Sequence, residues 1–373
     1  MAEMSVESGG VPLDPRQTMV GRRVFVTGAN GFIGRRLVNA LDRAGALVTS
    51  LCRTSRGATA KRGSAVRTIV GDLNDTALLE TRLREQEQEI VFHLAYDGRA
   101  TAAANLAAFD SVLAASAHAG VGRIVHTSSI VVYDGWPNGD IDETGSMSRP
   151  GGSGYRQAKI EMERRLMAGP IPTAILQPTI VYGPGSVLWT EQFIEWLAIG
   201  DIVLPTPEGH CSGLFVDDLV QALFRAATLT DLGRERFIVS GAEPFPWSRL
   251  LDGYARIVGS GSVRHVPVNE LRSRLGTEPD DDHQDASRMA SIHVAGRKIF
   301  GRERFERLLR RIKRRLARDG RMYPDRHLLG VFSSTGHCSI GHARERLGFE
   351  PEFDLAKGLA ASEADLRRRV RSV

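Results

Sequence analysis

The stretch Arg22-Arg23-Val24-Phe25-Val26-Thr27-Gly28-Ala29-Asn30-Gly31-Phe32-Ile33-Gly34 decides the fold. Val24, Phe25 and Val26 are a short β-branched and aromatic run, the pattern of a buried parallel strand. Glycines then recur every third residue, at Gly28, Gly31 and Gly34. Beyond them Leu37, Val38 and Leu41 take up a helical spacing. Glycine permits a tight turn, and its missing side chain lets a pyrophosphate approach the backbone. The helix that follows offers unpaired N–H groups and a partial positive charge at its N-terminus. The spacing is G-x-x-G-x-x-G rather than G-x-G-x-x-G, and any steep strand-to-helix turn calls for glycine on steric grounds. The stretch therefore predicts the first βα unit of a dinucleotide-binding sheet, which the rest of the chain has to complete.

It does so in a regular alternation. A second strand over 46–53 ends in Arg53, and a third over 66–70 runs into Gly71-Asp72-Leu73. A polar helix over 75–86, a strand over 90–95, an alanine-rich helix over 102–119 and a strand over 123–129 follow. This order predicts an α/β fold, a doubly wound parallel sheet with helices on both faces. Such sheets bind ligands outside the carboxyl ends of their strands, where Gly28, Arg53, Asp72, Ala95 and Ser129 all fall. An acid at the end of the second strand would bond the 2′-hydroxyl of NAD, whereas an arginine accommodates the 2′-phosphate of NADP. The chain has Arg53, Ser55 and Arg56 there and no acid before Asp72, which favours NADP and leaves NAD open.

A loop rich in Gly, Ser and Pro over 145–154 delivers Tyr155 and Lys159, four residues apart on a helix reaching to about 167. That spacing places both on one helical face. A phenol with a pKa near ~10 is a poor acid–base group at neutral pH, and a neighbouring ammonium would lower it. Ser128 or Ser129 can hold a substrate oxygen by a hydrogen bond.

Together these residues resemble the extended short-chain dehydrogenase/reductase family, the NAD(P)-dependent epimerase/dehydratase group. The resemblance rests on Thr27-Gly28-x-x-Gly31-x-x-Gly34, on Val91-Phe92-His93-Leu94-Ala95, on Ser128-Ser129 before Val132-Tyr133, and on Tyr155-x-x-x-Lys159. It continues in 176–185, in Phe215-Val216-Asp217-Asp218 and in 343–351, and leaves out roughly 270–335. It implies a Rossmann fold with a smaller C-terminal substrate domain. Gly28, Asn30, Gly31, Phe32, Ile33 and Gly34 would surround the pyrophosphate, with Asp72 and Leu73 at the adenine and Ala95 beside the cofactor. Ser129 would hold the substrate oxygen, Tyr155 would act as acid–base residue, and Lys159 would bind the nicotinamide ribose. Pro178 and Thr179 would lie by the nicotinamide. The implied activity is epimerisation or dehydration of a sugar or nucleotide sugar by hydride transfer. The alternatives are an NADPH-dependent carbonyl reductase of a non-nucleotide substrate and a non-catalytic NAD(P)-binding regulator.

Departures from the pattern bear on the substrate. Gln177 replaces an arginine, and Asp134 separates Tyr133 from Gly135. Nucleotide-sugar enzymes commonly carry a phosphate-binding arginine six residues before the first aspartate of V-D-D, and here that position is Cys211, next to His210.

The 373 residues divide, on this reading, into a flexible tail over 1–20, a cofactor domain over 21–171 and 209–235, and a substrate domain over 172–208, 236–270 and 330–373. A basic helical insertion over 271–329 completes the chain. The net charge of +5 is local, because residues 297–321 hold twelve Arg or Lys against three acids. An apolar stripe over 304–318 predicts a docked basic helix, whose outer face could meet an anionic surface. Three dispersed cysteines offer no disulfide framework or metal pair, and the run at 280–285 reads as a solvated charge run rather than a cation site. No metal, no transmembrane segment and no signal peptide are expected. The expectation is a cytoplasmic protein with a small-molecule substrate, a homodimer being left open.

Overall fold

The computed structural model describes residues 17–54, 66–275 and 320–371. Its centre is a parallel sheet of seven strands. They are β1 (Arg23–Thr27), β2 (Leu47–Cys52), β3 (Arg67–Val70), β4 (Ile90–His93), β5 (Arg123–Thr127), β6 (Thr173–Pro178) and, after four short strands introduced below, β11 (Arg234–Val239). Their spatial order is β3-β2-β1-β4-β5-β6-β11. Helices α1 (Phe32–Arg43), α2 (Thr76–Glu85), α3 (Ala102–His118) and α4 (Gly154–Ala168) alternate with the first strands as the pattern requires.

Alternation along β1 explains why both faces are covered. Val24 and Val26 face one core with Leu37, Val38 and Leu41 of α1, while Phe25 faces the other with Leu79, Phe109 and Met162 from α2, α3 and α4. β1 lies between β2 and β4, with Val24 opposite both Val48 and Ile90. The winding direction reverses there, so the crevice at the carboxyl ends of β1 and β4 is the topological switch point.

The domain boundaries differ from the expectation. Segments 172–208 and 236–270 were assigned outside the sheet, yet β6 and β11 hydrogen-bond along their length within it, Thr173 opposite Arg234 and Pro178 opposite Val239. Both segments carry apolar runs that a central sheet buries as readily as a second domain would. The smaller sheets come from β7 (Ile180–Tyr182) with β10 (Gly213–Phe215), β9 (His210–Cys211) with β12 (Phe245–Pro246), and β8 (Asp201–Thr206) between β13 (Val263–Pro267) and β14 (Arg321–Met322). Helix α5 (Gln192–Leu197) precedes β8, α6 (Val216–Thr228) packs on α1, and α7 (Trp247–Val258) packs on α5.

Two flanks are also more ordered than expected. Met19, assigned to the tail, is fully buried, and Gly21 N–H bonds the Gly45 carbonyl at 2.8 Å. Of the borders of the insertion, α8 (Val268–Leu275) packs on the small sheet and β14 joins it. Ser55, Arg56, the acidic run 280–285 and the basic stretch 304–318 lie outside the described residues. Among the described residues no helix is long and apolar enough to cross a membrane, and no cluster of metal ligands occurs.

The glycine turn is set by backbone crowding. A Cβ on Gly34 would stand 2.1 Å from the Gly28 carbonyl oxygen, whereas one on Gly31 would stand 3.1 Å from the same atom. Gly34→Ala should therefore destabilise the fold by more than ~2 kcal/mol. Gly31→Ala should cost less than half as much, a ranking that urea unfolding of the two variants measures directly.

Candidate active site

The turn after β1 forms a side-chain-free cradle. Gly28 has φ +70°, and a Cβ there would lie 2.7 Å from the Leu94 carbonyl carbon at the end of β4. Gly31 caps α1 with no side-chain acceptor on the helix N–H groups, so the first turn of α1 presents bare donors. Asn30 donates from Nδ2 to Cys52 Sγ at 3.0 Å, and its Oδ1 is buried without a hydrogen-bond partner. Phe32 and Ile33 pack partly buried against the core, and Phe32 Cδ2 would be 3.3 Å from a Cβ on Gly185. Ala95 N–H bonds Thr27 Oγ1 at 3.4 Å, which holds the end of β4 against the turn. A cradle that any Cβ would fill and an orphaned buried amide oxygen fit a dinucleotide.

The surroundings of Arg53 are more acidic than the sequence suggested. Arg53 pairs with Asp97 Oδ2 at 2.8 Å, and Asp72 lies close enough to feel the same guanidinium. Asp72 Oδ1 accepts from both the backbone and the side chain of Asn74 at 2.9 Å, which holds its carboxyl below the usual range. Leu73 packs partly buried against the core. Asp97 is fixed by a bond from its N–H to Asn105 Oδ1 at 2.8 Å. Neither Asp97 nor Asn105 was singled out from the sequence, since nothing in their spacing marks them.

Tyr155, Lys159 and Ser129 come together at the ends of β4 and β5. Lys159 is buried and donates to the Thr127 carbonyl at 2.7 Å. Its Nζ lies 5.3 Å from the Tyr96 ring centroid and 5.8 Å from that of Tyr155, and the two rings meet edge to face at 4.9 Å. Burial pulls the Lys159 pKa down to about 8, against the opposing pull of Glu163. The expected effect on the tyrosine does not occur. Burial pushes Tyr155 up to about 12, opposed by a hydrogen bond with Ser129, and the ammonium does not offset it. The reason is geometric, since Lys159 sits over the face of the ring and directs a hydrogen bond to the Thr127 carbonyl rather than to the phenol. Tyr96 lies three residues beyond the end of β4 and was missed, since nothing in its spacing marks it.

Further back, Pro178 ends β6, and Thr179 donates to Ser240 Oγ at 3.1 Å. Beneath Lys159, His93 and His126 are register neighbours on β4 and β5 with their Nδ1 atoms 3.2 Å apart. Burial and the Lys159 charge hold His93 down to about 3 and His126 well below its ordinary range, so both rings are neutral.

One wall of the crevice is a loop clamped at both ends. Buried Arg156, next to Tyr155, bonds the carbonyls of Val131, Val132, Arg149 and Gly151 and pairs with Asp134. Asp134, which looked like an interruption of the sequence pattern, also accepts from the N–H groups of Ser148 and Arg149. Between these ends the loop meets a distant segment, with Ile141 N–H on the His337 carbonyl and Ser339 N–H on the Ile141 carbonyl, each at 2.8 Å. Elsewhere Cys211 is fully buried on β9 opposite Phe245, and His210 is exposed.

A buried lysine whose folded pKa lies below its unfolded value costs stability at every pH below about 8, and that cost fades as pH rises towards ~10.4. Lys159→Met should raise Tm at pH 7 by roughly 2–4 °C. The gap between variant and parent should narrow between pH 8 and 10, which thermal melts across that range would reveal.

The family model described as the NAD dependent epimerase/dehydratase family matches residues 24–239. A 4-hydroxy-2-methyl-3-oxo-4-farnesyl-3,4-dihydroquinoline-1-oxide ketoreductase of Stigmatella aurantiaca is 30% identical over 183 residues, 46% of this chain and 54% of that protein. The chain thus matches little more than half of that relative's length. A 3-diazoavenalumate denitrifying reductase of a Streptomyces species is 29% identical over 274 residues, 68% of this chain and 87% of the other. Among solved structures, epimerase Mth375 of Methanothermobacter thermautotrophicus superposes with a TM-score of 0.70 at 18% identity, covering 96% of this chain and 97% of that one.

Proposed function

The chain belongs to the NAD dependent epimerase/dehydratase family, and from that premise we propose that it is an NAD(P)-dependent reductase of a ketone whose substrate carries no nucleotide diphosphate. A nicotinamide, when bound, supplies or accepts the hydride. The Gly28–Gly34 cradle and the bare first turn of α1 would hold its pyrophosphate, with Asn30 at the same turn and Ala95 beside it. Lys159 would donate to the nicotinamide ribose, and Pro178 and Thr179 would close the far side. Ser129 and Tyr155, which bond each other, would hold the substrate oxygen between two hydroxyls. Tyr155, kept protonated by burial, is set to give its phenolic proton to an oxygen gaining charge, the direction that reduction of a ketone requires.

One observation supports this choice of substrate over the nucleotide sugar that the family pattern first suggested. The position that would offer a guanidinium to a substrate phosphate holds the buried thiol of Cys211, which burial pushes well above its ordinary pKa and which therefore carries no charge. Exposed Val187 and Leu188 add apolar surface just after Gly185. Two curated relatives named above are reductases, in keeping with that reading. A reductase releases its oxidised cofactor at each turnover, whereas an epimerase retains it. Consumption of NADPH or NADH with a panel of apolar ketones is the test. Conversion of UDP-glucose with no net change in cofactor would instead favour epimerisation and sink the proposal.

Two outcomes are expected of variants. Tyr155→Phe should lower turnover by ~10²–10⁴-fold while leaving cofactor affinity unchanged, as a lost general acid does. For the cofactor, Arg53 is proposed to take the 2′-phosphate of NADP in competition with Asp97. Asp97→Asn should then raise the ratio of NADP to NAD affinity by up to ~5-fold, the scale of an exposed ion pair. An unchanged ratio in fluorescence titrations of the two reduced cofactors would remove Arg53 from the phosphate site.

A further inference from the structure

Glu163 is a carboxylate with no exposure to solvent, one helical turn beyond Lys159 on α4. Its surroundings are unusually complete. Ser128 Oγ donates to Oε1 at 2.5 Å, Gln177 Nε2 donates to both oxygens at 3.0 Å, and Arg236 Nε donates to Oε2 at 2.7 Å. Tyr133 bonds the other end of Gln177 at 2.8 Å. Four chain segments therefore meet on one buried acid, α4, the residues after β5, β6 and β11, and the loop that carries Tyr133 joins them through Gln177. Gln177 is neutral where the family pattern has arginine, so the cation comes from Arg236 on the next strand instead. A buried ion pair of this kind adds little net stability and is better understood by what else its field acts on.

What it acts on is one residue away along the backbone. Lys159 Nζ is seated on the Thr127 carbonyl, and Glu163 on the hydroxyl of Ser128, so the ammonium and the carboxylate occupy adjacent residues of the same turn. We propose that Glu163 is the positioning residue that keeps Lys159 charged in its buried seat, and that Arg236 sets how much of the carboxylate's field reaches it. The other groups facing Lys159 cannot take this role. His126 and His93, from β5 and β4, are neutral, and Tyr96 and Tyr155 present ring faces. The inference rests on the reading of Lys159 as the ribose-side cation for its functional consequence, but not for its electrostatics.

The test separates the two. The chain has only five lysines, Lys61, Lys159, Lys298, Lys313 and Lys357, so lysine-labelled protein gives a sparse NMR spectrum in which Lys159→Met identifies the signal. Titrating the parent, Glu163→Gln and Arg236→Met from pH 6 to 11 reads the Lys159 ionisation without cofactor. Glu163→Gln should lower its midpoint by about one pH unit, and Arg236→Met, at a partly exposed position, should raise it. Opposite shifts are the signature of a field, since a packing defect at either site has no reason to move the midpoint both ways. Midpoints unmoved in Arg236→Met, or moved the same way in both variants, would overturn the proposal, and Arg236→Met decides the matter even if Glu163→Gln does not fold. A parallel titration of reduced-cofactor fluorescence should show affinity falling at the same midpoints. If the NMR midpoints move and the affinity profiles do not, the field of Glu163 stands and Lys159 is not the ribose contact.

Discussion

An ammonium held out of water is the constraint around which this structure is arranged. Lys159 cannot be buried for nothing, because desolvating a charge is expensive unless every neighbour is chosen to tolerate it. A carbonyl from β5, two aromatic faces and a nearby carboxylate meet that need. Burial, with the same charge adding to it, keeps the two histidines below it neutral, which leaves them as a polar but uncharged floor. The glycine cradle, the tyrosine and the serine are positioned around this centre by the ends of β1, β4 and β5.

The cradle itself depends on absence. Gly28 and Gly34 approach so closely that neither accepts a Cβ, and the end of β4 packs directly on the turn. This explains why the glycine spacing could be read from the sequence without a structure. The requirement is steric, local and confined to a dozen residues. The alternation of strands and helices was legible for the same reason, since buried parallel strands announce themselves as short apolar runs, and the first five were found within a residue or two of their observed ends, whereas β6 and β11 were not read as strands of the sheet.

What could not be read was anything that depends on which side chain turns towards which. The effect of Lys159 on Tyr155 was inferred from spacing on one helix, and spacing is blind to a competing carbonyl on β5. Arg53 looked free because Asp97, 44 residues later, carries no sign that it reaches back across the switch point. Gln177 looks like an isolated departure until β6 and β11 lie side by side and it and Arg236 both bond Glu163. The boundary of the cofactor domain failed on the same ground, because an apolar strand at 173–178 does not say which sheet it joins.

The loop beside Tyr155 has a bearing on how the molecule is made. Its middle pairs with residues 334–339, and two of those bonds, Ser334 to Pro137 and His337 to Asp140, close over 197 residues of sequence. Contacts of such separation form late, because the chain between them must be ordered first. A chain emerging from its N-terminus can assemble all seven strands of the sheet once β11 is out, with Arg156 already gripping the two ends of the loop. The middle of that loop then waits for about a hundred residues more before its partner arrives. The seven-stranded sheet is thus within reach of a part-made chain, whereas the completed loop beside Tyr155 belongs only to the whole one.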